Sequence, residues 1–385
     1  MPVDLGLARL SDNLLFVAVV CYSLAMLGYA AEFAFRRRRA GEPVVERQPE
    51  AALVGAGGPP IAGAVPSGEG AGQQASERDD DRAGGAGRDG AGRDQAALAG
   101  RAGGGRTGAG RTGAGRTGAG RDQAALAGKI AVALTILGWL AHVGSLVARG
   151  FATNRVPWGN MYEFSSAISL VAVTTFLVLM ARQPVRYLGV FVMLPVVCYL
   201  GLAGKVLYTA AGPLVPALNS YWIKIHVGAA IIASGVFMVG AATTVLYLFK
   251  ERWERRQPVP YPDEPGPGVA VVTRGGILAR LPAAETLDRT AYRVIAFAFP
   301  IWTFAVIAGA IWAEAAWGRY WGWDPKETWS FITWVIYAGY LHARATAGWR
   351  GRRAALVALT GFAALFIDYY VVNIWITGLH SYAGV

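Results

Sequence analysis

The sequence predicts an all-α fold of the polytopic membrane type, a bundle of about eight transmembrane helices with both termini on the outer side. Three observations predict it. Of the 385 residues 54% are hydrophobic and only 16% charged, a balance outside the range of ordinary soluble domains. Apolar runs near the roughly 20 residues that a helix needs to cross about 30 Å of hydrocarbon recur along most of the chain. The arginines stand at the ends of those runs, and all strongly basic turns fall on one side when the runs are threaded in order. The net charge of +11 therefore reads as membrane orientation, not as nucleic-acid binding.

The first domain, 1–39, holds one span at about 14–35, closed by Arg36, Arg37, Arg38 and Arg39. The basic cluster follows the apolar run instead of preceding it, which predicts a retained span with the N-terminus outside. The second, 40–128, is rich in Gly, Ala, Arg and Asp, repeats GRTGA from Gly105, and carries GRDQAALAG at Gly92 and again at Gly120. Such a composition buries no core and predicts a disordered cytoplasmic linker. The third, 129–385, holds the remaining seven spans. They run at about 130–147, 162–180, 187–203 (through Pro195, tolerable within a bundle), 221–249, 291–313, 329–347 and 354–377. Arg182 and Arg186, then Lys250, Arg252, Arg255 and Arg256, then Arg350, Arg352 and Arg353 mark the inner turns. A Pro-rich inner segment precedes the sixth span, and the outer loop 314–329 follows it.

Cys21 and Cys198 lie in separate apolar runs without a CxxC or CxxCH motif, so they read as small buried hydrophobes. The four histidines are sorted by depth. His226 and His380 stand at the outer ends of spans five and eight, at a shared level. His342 is about 13 residues into span seven, roughly 20 Å below its outer end and in the inner half. His142 sits somewhat outside the midplane. Two neutral imidazoles on opposite faces hold haem iron without covalent attachment to the porphyrin, and the outer pair suits that chemistry.

On the same side lie Trp317, Arg319, Tyr320, Trp321, Trp323, Asp324, Lys326, Glu327 and Trp329. Four of the thirteen tryptophans fall between Trp317 and Trp329. A belt of interfacial aromatics would be spread over many spans, so the clustering favours a platform for a flat ligand. Asp324, Pro325 and Glu327 read as N-cap, N1 and N3 of a capping box, with ligand contact as the alternative for the two acids. Arg319 and Lys326 suit haem propionates through charge-assisted hydrogen bonds.

The stretch WGRYWGWDPKETW resembles the WWD signature of haem-handling membrane proteins, and over about 130–385 the chain is similar to the ResC/CcsA family of system II cytochrome c biogenesis. PWGNMYE from Pro157 resembles that family's Pro-x-x-Asn-x-Tyr-Glu segment, and GLHSY from Gly378 its C-terminal histidine motif. The resemblance implies that His226 and His380 are the external histidines flanking the WWD loop, and that His342 is the transmembrane histidine of an inner haem site completed by a ResB-type membrane subunit. It implies a haem-delivery subunit of a cytochrome c synthase in the cell membrane. Haem b is then a transported substrate, presented on the extracytoplasmic face for thioether attachment to apocytochrome c CxxCH. A thioredoxin-like thiol reductant is a further implied partner.

No residue reads as a dedicated acid, base or nucleophile, so the expected contribution is orientation and ligation. The haem-delivery protein of the alternative maturation pathway also has such a loop, but the DPKETW ending and the extra spans favour ResC/CcsA. From another class, a secondary transporter or channel with an aromatic outer gate would place charges or broken helices near midplane. Only Lys224, Glu314 and Asp368 are candidates, most of them near an interface.

Overall fold

The computed structural model describes residues 3–35, 113–213, 220–257 and 276–380. Most of the linker 40–128, the arginines 36–39, most of the Pro-rich inner segment and Ser381–Tyr382 of the C-terminal motif lie outside them. The described residues are helical and contain no strand. The helices are α1 (Leu5–Phe35), α2 (Gly113–Thr153), α3 (Met161–Arg182), α4 (Gly189–Lys205), α5 (Tyr221–Glu254), α6 (Ala284–Trp317), α7 (Pro325–Ala345) and α8 (Arg352–Phe366). A π-helical turn, Ile367–Val371, then leads into the short α9 (Val372–Trp375).

Seven of these segments are long and apolar enough to cross a membrane, and the chain is a multi-pass membrane protein. The remaining expected span, α7, forms as a helix but is not among the seven. Its aliphatic positions are diluted by Trp, Tyr, Ser and Thr and by His342 and Arg344, and part of this polarity is taken up by α6. Trp334 Nε1 donates to Thr303 Oγ1 at 3.0 Å, and Trp302 Nε1 to the Ser330 carbonyl at 3.3 Å. Helix α2 begins at Gly113, inside the stretch assigned to the linker. The QAALA run before Gly128 is dense in alanine, the strongest helix former, and continues the apolar helix backwards.

Helix α1 runs antiparallel to α2, since the Asp4 amide meets the Ala152 carbonyl at 3.0 Å while Gly128 approaches Glu32 at the other end. Leu15, Ala18, Tyr22, Ala25 and Tyr29 form its buried stripe. Hydrogen bonds cross the interface where hydroxyls meet, Tyr29 with Thr135 at 3.0 Å and Ser11 with Ser145 at 3.2 Å. His142 belongs to this seam: Nδ1 lies 3.4 Å from Tyr22 Oη and Nε2 2.9 Å from Ser166 Oγ, so it ties α1, α2 and α3 together. Both cysteines were expected buried. Cys21 is, but Cys198 faces outward from α4 and is exposed.

The core of the larger half is aromatic on small. Tyr337 of α7 stacks on Phe237 of α5 at 4.0 Å between centroids and fits against Gly361 of α8. Ion pairs gather at the helix ends. Arg344 clamps Asp288 through two bonds of 2.8 and 3.0 Å, and Arg186 meets Glu32 at 3.3 Å. At the opposite end of α2, Glu163 takes Arg149 Nε at 3.0 Å, Arg155 at 2.6 Å and the Gly159 amide at 2.8 Å. Asn160 caps α3 by accepting the Glu163 amide at 2.9 Å. The Asn and Glu of the PWGNMYE segment thus fasten one corner of the bundle and set Trp158 in place.

Candidate functional site

Helices α3, α5, α6, α7 and α8, with the loop between α6 and α7, enclose a cavity of about 1180 Å³ of atom-free space counted out to its mouth. Trp158, Phe164, Trp302, Trp312, Trp317 and Trp321 belong to the aromatic part of its wall. His226 and His380 both line it, although 154 positions of chain separate them (380 − 226).

His226 stands in the second turn of α5. Its Nδ1 donates to the Ala305 carbonyl of α6 at 2.7 Å, which leaves the lone pair of this tautomer on Nε2. One turn further along α6, Gly309 makes this approach possible: a Cβ there would lie 2.7 Å from His226 Nδ1. His380 follows α9, and its Nδ1 donates to Asp324 Oδ2 at 2.7 Å, so its lone pair likewise falls on Nε2. Asp324 Oδ1 accepts the Leu379 amide at 2.8 Å. The backbone comes so close that a Cβ at Gly378 would lie 2.7 Å from Asp324 Oδ1. Each imidazole is thereby oriented by an acceptor on Nδ1, the arrangement found behind metal-ligating histidines.

The capping expectation for Asp324 is met, and the same carboxylate also takes the His380 ring. It is the N-cap of α7, with Lys326 N at 3.4 Å, and the capping box with Glu327 is complete. Burial pushes its carboxyl up, but the hydrogen bonds from His380, Leu379 and Lys326 outweigh that and hold it below the usual carboxylate value. Burial also holds the His380 imidazole below its ordinary value of 6.5, against the opposing pull of Asp324. The ring is therefore neutral at pH 7, as a ligating imidazole must be.

The tryptophan-rich loop divides. Gly318, left-handed at φ 70°, ends α6, and Glu327 gathers the rest by accepting Gly322 N at 2.8 Å, Asp324 N at 3.1 Å and Arg319 at 3.4 Å. Trp317 turns to His380, 5.0 Å between centroids and nearly perpendicular. Trp321 faces the cavity and packs on Trp323, whose backbone is left-handed at φ 57°. Trp323 is 64% exposed and packs on Phe331 instead of lining the cavity. Arg319 lies over Trp317 and pairs with Glu327. Tyr320 stands at the mouth, 62% exposed.

Lys326 does line the cavity, its Nζ bonded to Asn373 Oδ1 at 2.8 Å. His342 is not brought to this site; it is exposed on α7 beyond Tyr337. Trp302, Trp312, Asn373 and the small residue Gly309 were not expected from the sequence. They lie in plain apolar runs, and only helix-to-helix register reveals that they face His226 and His380. Among the described residues no group of three or more His, Cys, Asp or Glu is placed to hold a metal ion. Two histidines across an aromatic cavity suit a metal whose other donors come from a planar macrocycle.

Comparison with known proteins places residues 158–380 under a family model described as "Cytochrome C assembly protein". The chain is 39% identical over 295 residues to the cytochrome c biogenesis protein CcsA of Gloeobacter violaceus, covering 66% of this chain and 85% of that relative. It is 34% identical over 279 residues to CcsA of Porphyra purpurea and 35% identical over 298 residues to CcsA of a Synechocystis strain, each covering 66% of this chain and 87% of the relative.

Proposed function

This chain belongs to the cytochrome c assembly family that includes the CcsA proteins, and on that premise we propose that its cavity receives haem b and presents it to apocytochrome c. Its role is in cytochrome c biogenesis, and the haem is cargo. The observation that carries the reading is the pair His226 and His380, each with Nδ1 held by an acceptor and both lining one aromatic cavity. Their Nε2 atoms ligate the iron from opposite faces while the tryptophans cover the porphyrin.

The chemistry asks little acid or base from the protein. A CxxCH thiol adds across a haem vinyl group: the S–C bond forms at the carbon next to the ring, and the thiol hydrogen ends on the terminal carbon. No electron is exchanged with an external acceptor. The protein's part is to fix the ligand, exclude other ligands from the iron and give way when the apocytochrome histidine takes an axial position. The thiols must arrive reduced, which calls for a thioredoxin-like partner.

The sidedness read from the basic turns supports a cavity on the extracytoplasmic face of the cell membrane, with both chain termini on that side. His342, exposed and remote from the cavity, serves a separate inner site whose second ligand comes from a ResB-type subunit. The segment 40–128 remains a cytoplasmic linker in this reading up to the start of α2.

The test is the reduced haem spectrum of the full-length protein, purified alone and with its partner subunit, for wild type, His226→Ala, His380→Ala, their double variant and His342→Ala. Loss of the six-coordinate signal in the double variant is expected. Unchanged haem content and spectrum in that variant would overturn the reading.

A further inference from the structure

The aromatic cavity has one polar corner. Asp368, 5% exposed and in the π-helical turn after α8, lines the cavity, and its Oδ1 makes no hydrogen bond. Beside it Lys326 Nζ is held by Asn373 Oδ1 at 2.8 Å, and Asn373 Nδ2 is anchored on the Tyr369 carbonyl at 2.5 Å. A buried carboxylate oxygen without a donor is costly and calls for an explanation. A π-turn is also a costly local geometry that recurs at functional sites. The mouth is the other extreme, with Tyr320 at 62% exposure.

Haem has the matching asymmetry, with its two vinyl groups and two propionates on opposite edges of the ring. Thiols of an apocytochrome arrive from outside, so the vinyl edge must face the mouth and the propionate edge the closed end. Resting on the reading of the cavity as a haem site, we propose that Lys326, Asn373 and Asp368 form a carboxylate subsite at that end. One propionate pairs there with Lys326 and shares a proton with Asp368.

The proton follows from charge. Lys326 is the cation facing Asp368 from α7, with Asp324 also acting on it from the cap and His380 beyond. Helix α5 contributes His226 to the same cavity, and the Ser165 hydroxyl of α3 is bonded to Tyr369 beside Asp368 in the chain. With one cation and one carboxylate already balanced, an added propionate is accommodated when a proton enters between the two carboxylates. Arg319, paired with Glu327 and outside the cavity lining, is not part of the subsite.

The experiment measures affinity of the full-length protein in detergent for iron protoporphyrin IX and for its dimethyl ester, in wild type, Lys326→Gln, Asp368→Asn and Arg319→Gln. Lys326→Gln is expected to weaken haem by about tenfold or more and to leave the ester unchanged. In wild type, affinity for haem but not for the ester falls on the alkaline side of neutrality. Asp368→Asn, whose amide donates at every pH, removes that fall, and Arg319→Gln, acting on the loop and not on a propionate, leaves the discrimination between haem and its ester unchanged.

Equal weakening of both ligands by Lys326→Gln would overturn the subsite, as would an unchanged alkaline fall in Asp368→Asn or loss of discrimination in Arg319→Gln. If Lys326→Gln does not accumulate, the Asp368→Asn profile decides alone. Failure of wild type to bind either ligand through two histidines would instead sink the haem reading itself.

Discussion

Asp324 carries two duties that a pair of substitutions separates. Asn serves as an N-cap as well as Asp does, so Asp324→Asn keeps the start of α7 while replacing the carboxylate that orients His380. Its thermal midpoint is expected to stay near wild type while haem affinity falls about 10- to 100-fold, the usual loss for a partner behind a ligating histidine. Asp324→Ala should lose the same affinity and, in addition, about 1 kcal/mol of stability through the missing cap. A variant pair that differs in neither readout would refute the division of roles. The pH dependence has a definite sign: because burial holds His380 below 6.5, it stays neutral as pH falls through that value. A spectroscopic titration should therefore find the acid midpoint for loss of the six-coordinate signal below 6.5, and a midpoint above it would contradict the burial argument. The capping half of this residue was legible from the spacing of Asp, Pro and Glu alone. The other half was not, since His380 is 56 positions away and only the close approach of Gly378 brings the two together.

Among the elements, α5 and α6 show how an imidazole is positioned by what a neighbour lacks. Gly309→Ala replaces a poor helix former with the best one and should preserve helicity, with stability within about 1 kcal/mol of wild type. Its Cβ would fall 2.7 Å from His226 Nδ1 and displace the ring. Circular dichroism should then be unchanged while one axial ligand is lost from the haem spectrum, and an intact spectrum would mean that the ring has room to move. Existence and order of the helices were readable because a membrane span must be apolar along its length. The facing of single residues was not, because an all-round apolar helix carries little rotational signal. The π-helical turn at Ile367–Val371 was hidden for the same reason: it changes the phase of the helix without changing its composition.

At the level of the whole molecule, α1 is more than an appendage to the haem-handling part. His142 joins it to α2 and α3 with both ring nitrogens, and Tyr22, Tyr29 and Ser11 close the seam. The linker divides the chain in sequence, yet the helices on either side of it share one buried core. The distribution of arginine made the threading order legible, whereas this union across the linker left no trace in composition. One consequence concerns synthesis. Helix α7 is the member of the bundle whose own apolarity falls short of a span; its Trp334 bonds to Thr303 of α6, and its Tyr337 packs between α5 and α8. A nascent chain that ends before Arg352 should therefore leave α7 outside the bilayer, and one that includes α8 should draw it in. Glycosylation sites engineered beyond Ala345 and read during cell-free translation into membranes would time that entry. Insertion of α7 without α8 would show that the helix partitions by itself.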